Sequence, residues 1–460
     1  MLTKSFTRRQ FLASTGVTAT GAMMGAALPG LAQAGTRMIK PARKALVFVM
    51  LDGGNDSFNM LVPNDKIAHA QYSETRANLA LARGDLLNLD TPKDRLSRSF
   101  GLHPSMPEVA ELFNQKRLSF VANVGPLVER VRKQQFYDGS AALPLGLLSH
   151  ADQFKHWQTS RPDLRVNDGW FGFFADDLQP SKSAHEIGMN ISLAGNNIAQ
   201  NGKVDLPYAI TDKGSVGLYV KEEKSPLNDL LLDSFNRMMN ADQNGDPFRE
   251  TYLNLTRDAQ SKHETFKSAT RGIKIPRSFP SSDLAQQLRM VAKTIAASDR
   301  LGHEQQTFFV RYIGWDHHDE LLANHARMLR VLSEALGAFQ ATLDDMGLAD
   351  RVVTFTGSDF GRTLTSNGNG TDHGWGGNTL VMGNPVKGGQ ILGDYPELGL
   401  AGDNSLDVGD GVLIPTTSTD QLYADLSLWF GVQASALDTL FPNLNRFADV
   451  AGGERLGLFT

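Results

Sequence analysis

Residues 45–56 read ALVFVMLDGGND, seven apolar residues from Ala45 to Leu51 that run without interruption into Asp52 and a glycine pair. A strand covered on both faces needs no polar alternation, so such a run predicts an interior strand of a parallel sheet. Two further runs share the pattern. Thr307 to Ile313 leads into Gly314-Trp315-Asp316-His317-His318, and Val352 to Thr356 leads into Gly357-Ser358-Asp359. A Gly-rich loop carrying Asp372-His373 follows the last of them. Ligands of open α/β sheets bind outside the carboxyl ends of the strands. Carboxylates and imidazoles gathered there have the donor chemistry of a divalent metal site.

Working outward, the 460 residues suffice for one large α/β domain with insertions, or for two domains. The net charge of -5 offers no basic excess, which argues against nucleic acid as a partner. The absence of cysteine excludes thiolate catalysis, Cys-ligated metal and disulfides. Near the start, Thr7-Arg8-Arg9-Gln10-Phe11-Leu12 precedes a weakly hydrophobic stretch from Ala13 to Leu28 and a small-residue site, Ala32-Gln33-Ala34. This pattern predicts a twin-arginine export signal over residues 1–34, cleaved after Ala34 and read by the twin-arginine machinery. The mature chain, 35–460, is then expected outside the cytoplasmic membrane, in the periplasm or otherwise exported, with no stable membrane span.

Other elements follow from periodicity. A helix is expected to open at His103-Pro104-Ser105, with Met106, Val109, Leu112 and Phe113 on one face, and to lead to a strand over 118–124. Ser149-His150-Ala151-Asp152 reads as a helix start, Ser149 being the N-cap. From about 190 to 280 the pattern shifts to a Gly/Asn-rich piece and a polar helical stretch, read as an insertion or lid on the sheet. Helices near 282–298 and 320–346, a short strand at 379–383 and an amphipathic closing helix over 420–430 complete the order.

Each candidate residue has two readings. Asp52 ends a strand and either binds metal or caps the next turn. Asp316 and His318 point the same way if the chain stays extended, with His317 directed elsewhere, toward the surface or behind the ligands. Asp359 is a candidate ligand, and Arg362, three residues on, could clamp an anionic group or simply stiffen the loop. His373 has Asp372 beside it and glycines after it, which favours a ligand. Ser149 is either an activated nucleophile at a helix N-terminus or a plain cap. His103 and His150 are weaker candidates.

These residues, from the signal through Asp52-Gly53-Gly54-Asn55-Asp56, Gly101-Leu102-His103-Pro104, Ser149-His150, Gly314 to His318, Phe360-Gly361-Arg362-Thr363 and Asp372-His373, resemble the bacterial family known as domain of unknown function 1501. The family is grouped with the alkaline phosphatase and sulfatase superfamily. The resemblance implies an alkaline phosphatase-like sandwich, a parallel-rich sheet between helices with a metal site at the strand ends. It further implies that Asp52, Asp316, His318, Asp359 and His373 bind divalent zinc, manganese or calcium, and that Ser149 is the nucleophile position. Phe360 stands where the superfamily has a histidine, which removes one ligand. Two functions are therefore expected: a metal-dependent hydrolase of an anionic phosphate or sulfate ester, or a non-catalytic binding or assembly protein with a degenerate site.

Overall fold

The three strand runs lie side by side at the centre of one sheet in the computed structural model, which describes residues 43–459 other than 95, 180–185, 219–223, 242–244, 401–403 and 449–454. The expected export signal falls outside the described residues. The strands are β1 (Lys44–Asp52), β2 (Leu61–Pro63), β3 (Leu87–Asn88), β4 (Phe100–Leu102), β5 (Leu118–Gly125), β6 (Asn190–Ser192), β7 (Tyr208–Ala209), β8 (Gln305–Ile313), β9 (Val352–Ser358), β10 (Gly377–Met382), β11 (Ile391–Leu392) and β12 (Thr417–Ser418). The main sheet runs β11-β5-β10-β9-β1-β8-β6-β7, with β12 also beside β5. Only β10 is antiparallel to its neighbours.

The helices needed below are α1 (Pro107–Asn114), α2 (His150–Thr159), α3 (Trp170–Leu178), α4 (Pro226–Asn240), α5 (Pro247–Thr270), α6 (Asp283–Ala296), α7 (Leu321–Asp345) and α8 (Thr419–Phe430). Along β1 the side chains alternate between two cores. Ala45, Val47, Val49 and Leu51 join the face covered by α1, α6 and α7, while Leu46, Phe48 and Met50 join the face of α2, α3 and α8. Period-two alternation with both faces apolar is what an uninterrupted hydrophobic strand requires. Each of these fully buried large side chains stabilises the sandwich by roughly 1.5–3 kcal/mol. The result is a mixed α/β sandwich, a mostly parallel sheet flanked by helices.

Several expectations shift in detail. The helix after His103 begins at Pro107, because His103 to Met106 first forms a turn, and Pro107 takes the first helical position that suits its fixed φ. Three short strands, β2, β3 and β4, form a small antiparallel sheet that the periodicity did not announce. The closing helix α8 is buried nearly all round, since it sits between the sheet and the final turns of the chain. In the 190–280 region, β6 and β7 extend the main sheet at its edge, and α4 and α5 follow as a helix pair. Among the described residues no helix is long and apolar enough to cross a membrane.

Register brings the strand ends together. Asp52 is opposite Ile313 of β8, and Leu51 is opposite Ser358 of β9. The backbone N–H groups of Gly314 and Trp315 both donate to the Asp52 carbonyl at 3.1 Å, which folds the chain after β8 over the end of β1. Gly53 makes this approach possible. Its φ is +122°, and a Cβ there would lie 2.6 Å from the Asp316 backbone nitrogen.

Candidate metal centre

Four side chains from three separate segments meet above this edge. Asp316 and His318 come from the turn after β8, His373 from the loop between β9 and β10, and His150 from the first turn of α2. The turn is not extended, as His317 N bonds Trp315 O and His318 N bonds Asp316 O. Asp316 and His318 still face each other, while His317 is buried against Trp315 and His325.

The three imidazoles are each tied by Nδ1. His150 Nδ1 donates to Asp359 Oδ2 at 2.7 Å, His318 Nδ1 to Asp372 Oδ1 at 3.0 Å, and His373 Nδ1 to the Leu148 carbonyl at 2.8 Å. These partners can only accept, so in each neutral ring Nε2 carries the lone pair. All three Nε2 atoms approach Asp316. His318 Nε2 is 3.0 Å and His373 Nε2 3.5 Å from Oδ1, and His150 Nε2 is 3.4 Å from Oδ2. His318 Nε2 and His373 Nε2 are 3.1 Å apart. Two lone pairs at that distance repel each other unless a proton or a cation lies between them.

A set of three donors, His150, Asp316 and His373, fits a small divalent ion, and His318 stands against two of them. Bonds of about 2.0–2.1 Å in a tetrahedral shell imply ligand–ligand edges of about 3.3 Å, because the edge is about 1.6 times the bond. Separations of 3.0, 3.1, 3.4 and 3.5 Å bracket that value. His150, Asp316 and His373 place ligand atoms within 4.8 Å of one another, and His318 touches two of the three. His150 Nε2 is buried with no hydrogen-bond partner, as expected of a nitrogen reserved for an ion.

The surrounding charges act on these groups. The bond to Asp359 raises the His150 pKa above its ordinary value, against the opposing effect of burial. Burial raises the Asp359 carboxyl, and the nearby Asp52 charge adds to the shift. Burial would also raise Asp316, but the bond from Arg362 together with the charges of Arg362, His318 and His150 outweighs it and holds the carboxylate low. Beneath the cluster, burial pushes His103 and His317 down to about 4 and His325 well below its usual range.

The sequence candidates fall in distinct places. Asp316, His318 and His373 converge. Asp359 sits one layer back, holding His150 and accepting from Gly53 N at 3.2 Å, with its Oδ1 buried and unpartnered. Asp52 lies outside the cluster and pairs with Arg311. Arg362 is buried, and its guanidinium is directed at Asp316 Oδ1 (2.6 Å), Thr371 and the Gly53 carbonyl instead of the open side. Ser149 is the N-cap residue of α2, yet its side chain makes no cap bond. It stands between Leu148, whose carbonyl binds His373, and His150. Leu148 itself has φ +68°, a conformation costly for leucine and held by the contacts around it.

His150 is the residue that sequence reasoning underrated. Its ring packs on Phe360 at 4.7 Å between centroids, and His373 packs on the same ring at 4.6 Å. An imidazole from α2 thus stands against the phenylalanine that replaces the expected histidine. The available signal was a histidine at the first helical position directly after Ser149.

No curated protein matches the chain. Among solved structures it is similar to the PsFucS1 sulfatase from Pseudoalteromonas sp., at 10% identity over 85% of this chain and 68% of that one, with a TM-score of 0.37. It is also similar to the lipoteichoic acid synthase LtaP from Listeria monocytogenes, at 8% identity over 86% and 73% with a TM-score of 0.35. A third likeness is to a mutant of the alkaline phosphatase PafA, at 12% identity over 70% and 64% with a TM-score of 0.25. Residues 43–410 match the family described as "Protein of unknown function (DUF1501)", and the chain belongs to that family.

Proposed function

We propose that this protein is an exported, metal-dependent hydrolase of phosphate or sulfate esters, carried across the membrane by a twin-arginine signal over residues 1–34. The observation that carries the reading is the set of three imidazoles, each anchored through Nδ1, whose Nε2 atoms face one carboxylate. His150, Asp316, His318 and His373 would hold the ion. Three nitrogens and one carboxylate suit zinc better than manganese or calcium, which prefer oxygen. A bound divalent ion supplies Lewis acidity toward an ester oxygen.

The chain's own residues do the rest. Asp359 fixes the His150 ring and keeps its Nε2 available. Arg362 orients Asp316 from below. The reading assigns the attack to Ser149 Oγ, which makes no cap bond and is flanked by two residues bound into the cluster. It would form the bond to phosphorus or sulfur as the ester alcohol leaves with a proton, and water would then release phosphate or sulfate and restore the serine. The test is to purify the chain from Gly35 onward through its native export route, measure bound metal by elemental mass spectrometry and assay aryl phosphates and aryl sulfates. About one equivalent of zinc with turnover on either ester supports the reading. A protein that neither retains nor takes up metal removes it.

A second reading has its own observation. Arg362 already neutralises Asp316, so the cluster carries less negative charge than its carboxylates suggest. A non-catalytic ligand-binding protein with a vestigial centre would show that pairing together with metal-free protein.

A further inference from the structure

We infer that Arg311 is the residue that binds the tetrahedral oxyanion of the substrate; this rests on the ester-hydrolase reading above. Arg362 is turned inward, so an anionic group needs another cation, and β8 supplies one beside the cluster. Arg311 is partly exposed and pairs with Asp52 at the end of β1. Its guanidinium lies over the Phe154 ring, 4.9 Å from the centroid. Phe154 follows His150 by four residues in α2, so the two share a helix face and the ring that carries the guanidinium lies one turn from His150.

A second route ties Arg311 to the same side. Asp52 precedes Gly53, whose N–H bonds Asp359, and Asp359 holds His150. Arg311 is therefore fixed in plane by an aromatic face and in direction by a carboxylate, next to the side chain best placed to bind metal. A guanidinium offers five N–H donors in a rigid fork suited to two oxygens of phosphate or sulfate. Asp52 is the one acceptor it contacts among the described residues, and its Nε–H is buried with no acceptor at all. The buried Nε–H cannot itself meet a ligand, but the pair with Asp52 leaves the fork incompletely matched, and the partly exposed remainder of the guanidinium is what an oxyanion would reach. Asp52 is then the positioning residue for Arg311.

The experiment is calorimetric titration of inorganic phosphate, and separately of inorganic sulfate, into zinc-loaded wild type, Arg311→Met, Arg311→Lys and Asp52→Asn, with metal content and melting temperature recorded on each sample. Losing charge-assisted bonds should weaken oxyanion binding about 10- to 100-fold in Arg311→Met, with metal retained. Arg311→Lys should lose less, and Asp52→Asn, which frees the guanidinium from the carboxylate that aims it, should weaken binding by less than Arg311→Met. The two anions tell a phosphate site from a sulfate site. Equal affinity in wild type and Arg311→Met overturns the assignment, as does loss of metal in Asp52→Asn. Wild type that takes up zinc but binds neither anion also overturns it, while wild type that takes up no zinc brings down the hydrolase reading itself.

Discussion

His150 Nδ1 donates to Asp359 Oδ2 at 2.7 Å, joining the first residue of α2 to the end of a central strand 209 positions later. The bond crosses from a helix start to the sheet edge and decides which nitrogen of His150 is free. Since Asp359 is almost wholly buried, its placement depends on the packing of β9 against β1, and the imidazole inherits that rigidity.

Asp359→Asn keeps the shape and removes the charge behind His150. Metal affinity should fall by about 10- to 100-fold, the usual cost of losing a carboxylate behind a ligating histidine. Competition with a chelating dye measures this, and affinity within twofold of wild type would detach Asp359 from the centre.

His150→Ala, Asp316→Ala and His373→Ala should each bring bound metal close to zero in elemental mass spectrometry. Asp52→Asn should keep it, because that carboxylate is occupied by Arg311. The reverse pattern would move the ion to the end of β1.

Ser149→Ala separates chemistry from structure. Removing an N-cap serine ordinarily costs about 1 kcal/mol, but no cap bond is made here, so stability should change by only a few tenths of a kcal/mol. Metal content should be unchanged and ester turnover abolished. Turnover persisting in this variant would assign attack to another group.

His103 and His325 make stability fall with acid. Burial lowers both pKa values in the folded protein, His103 to about 4, while the unfolded chain titrates near 6.5. Below 6.5 the unfolded state binds more protons, so this contribution is intact at neutral pH and is lost as pH drops from 6.5 toward 4. For His103 the loss reaches on the order of 3 kcal/mol. Melting temperature followed from pH 7 to pH 4 should show a steep decline that is shallower in His103→Asn. Parallel curves for the two proteins would acquit His103.

Much of the centre was legible in the chain. Asp316, His318 and His373 were readable because each follows an apolar run or sits in a glycine-bracketed loop, and strand ends of one sheet necessarily share an edge. Their convergence did not depend on the extended backbone expected after Ile313. Gly314 and Trp315 bend over Asp52, and the two side chains meet across a turn. His150 was hidden by its position at a helix start, where nothing in local sequence says which strand end the helix will face.

Arg362 and Arg311 show the complementary failure. The spacing from Asp359 suggested an anion clamp at Arg362, yet a guanidinium three residues past a strand end can turn inward, and here Asp316, Thr371 and Gly53 take it. Arg311 was unremarkable inside an apolar strand until Asp52 and Phe154 were seen on either side of it.

By itself the sequence determined that Ala45 to Leu51, Thr307 to Ile313 and Val352 to Thr356 are central strands, because apolar runs of that kind need cover on both faces over most of their length, and that acid and imidazole groups follow them. The tertiary structure decided which of those groups meet. Parallel register sets the strand ends level, Gly53 lets the next turn close over them, and the packing of α2 against the second face delivers His150. Those are contacts between segments more than a hundred residues apart, and no local pattern encodes them.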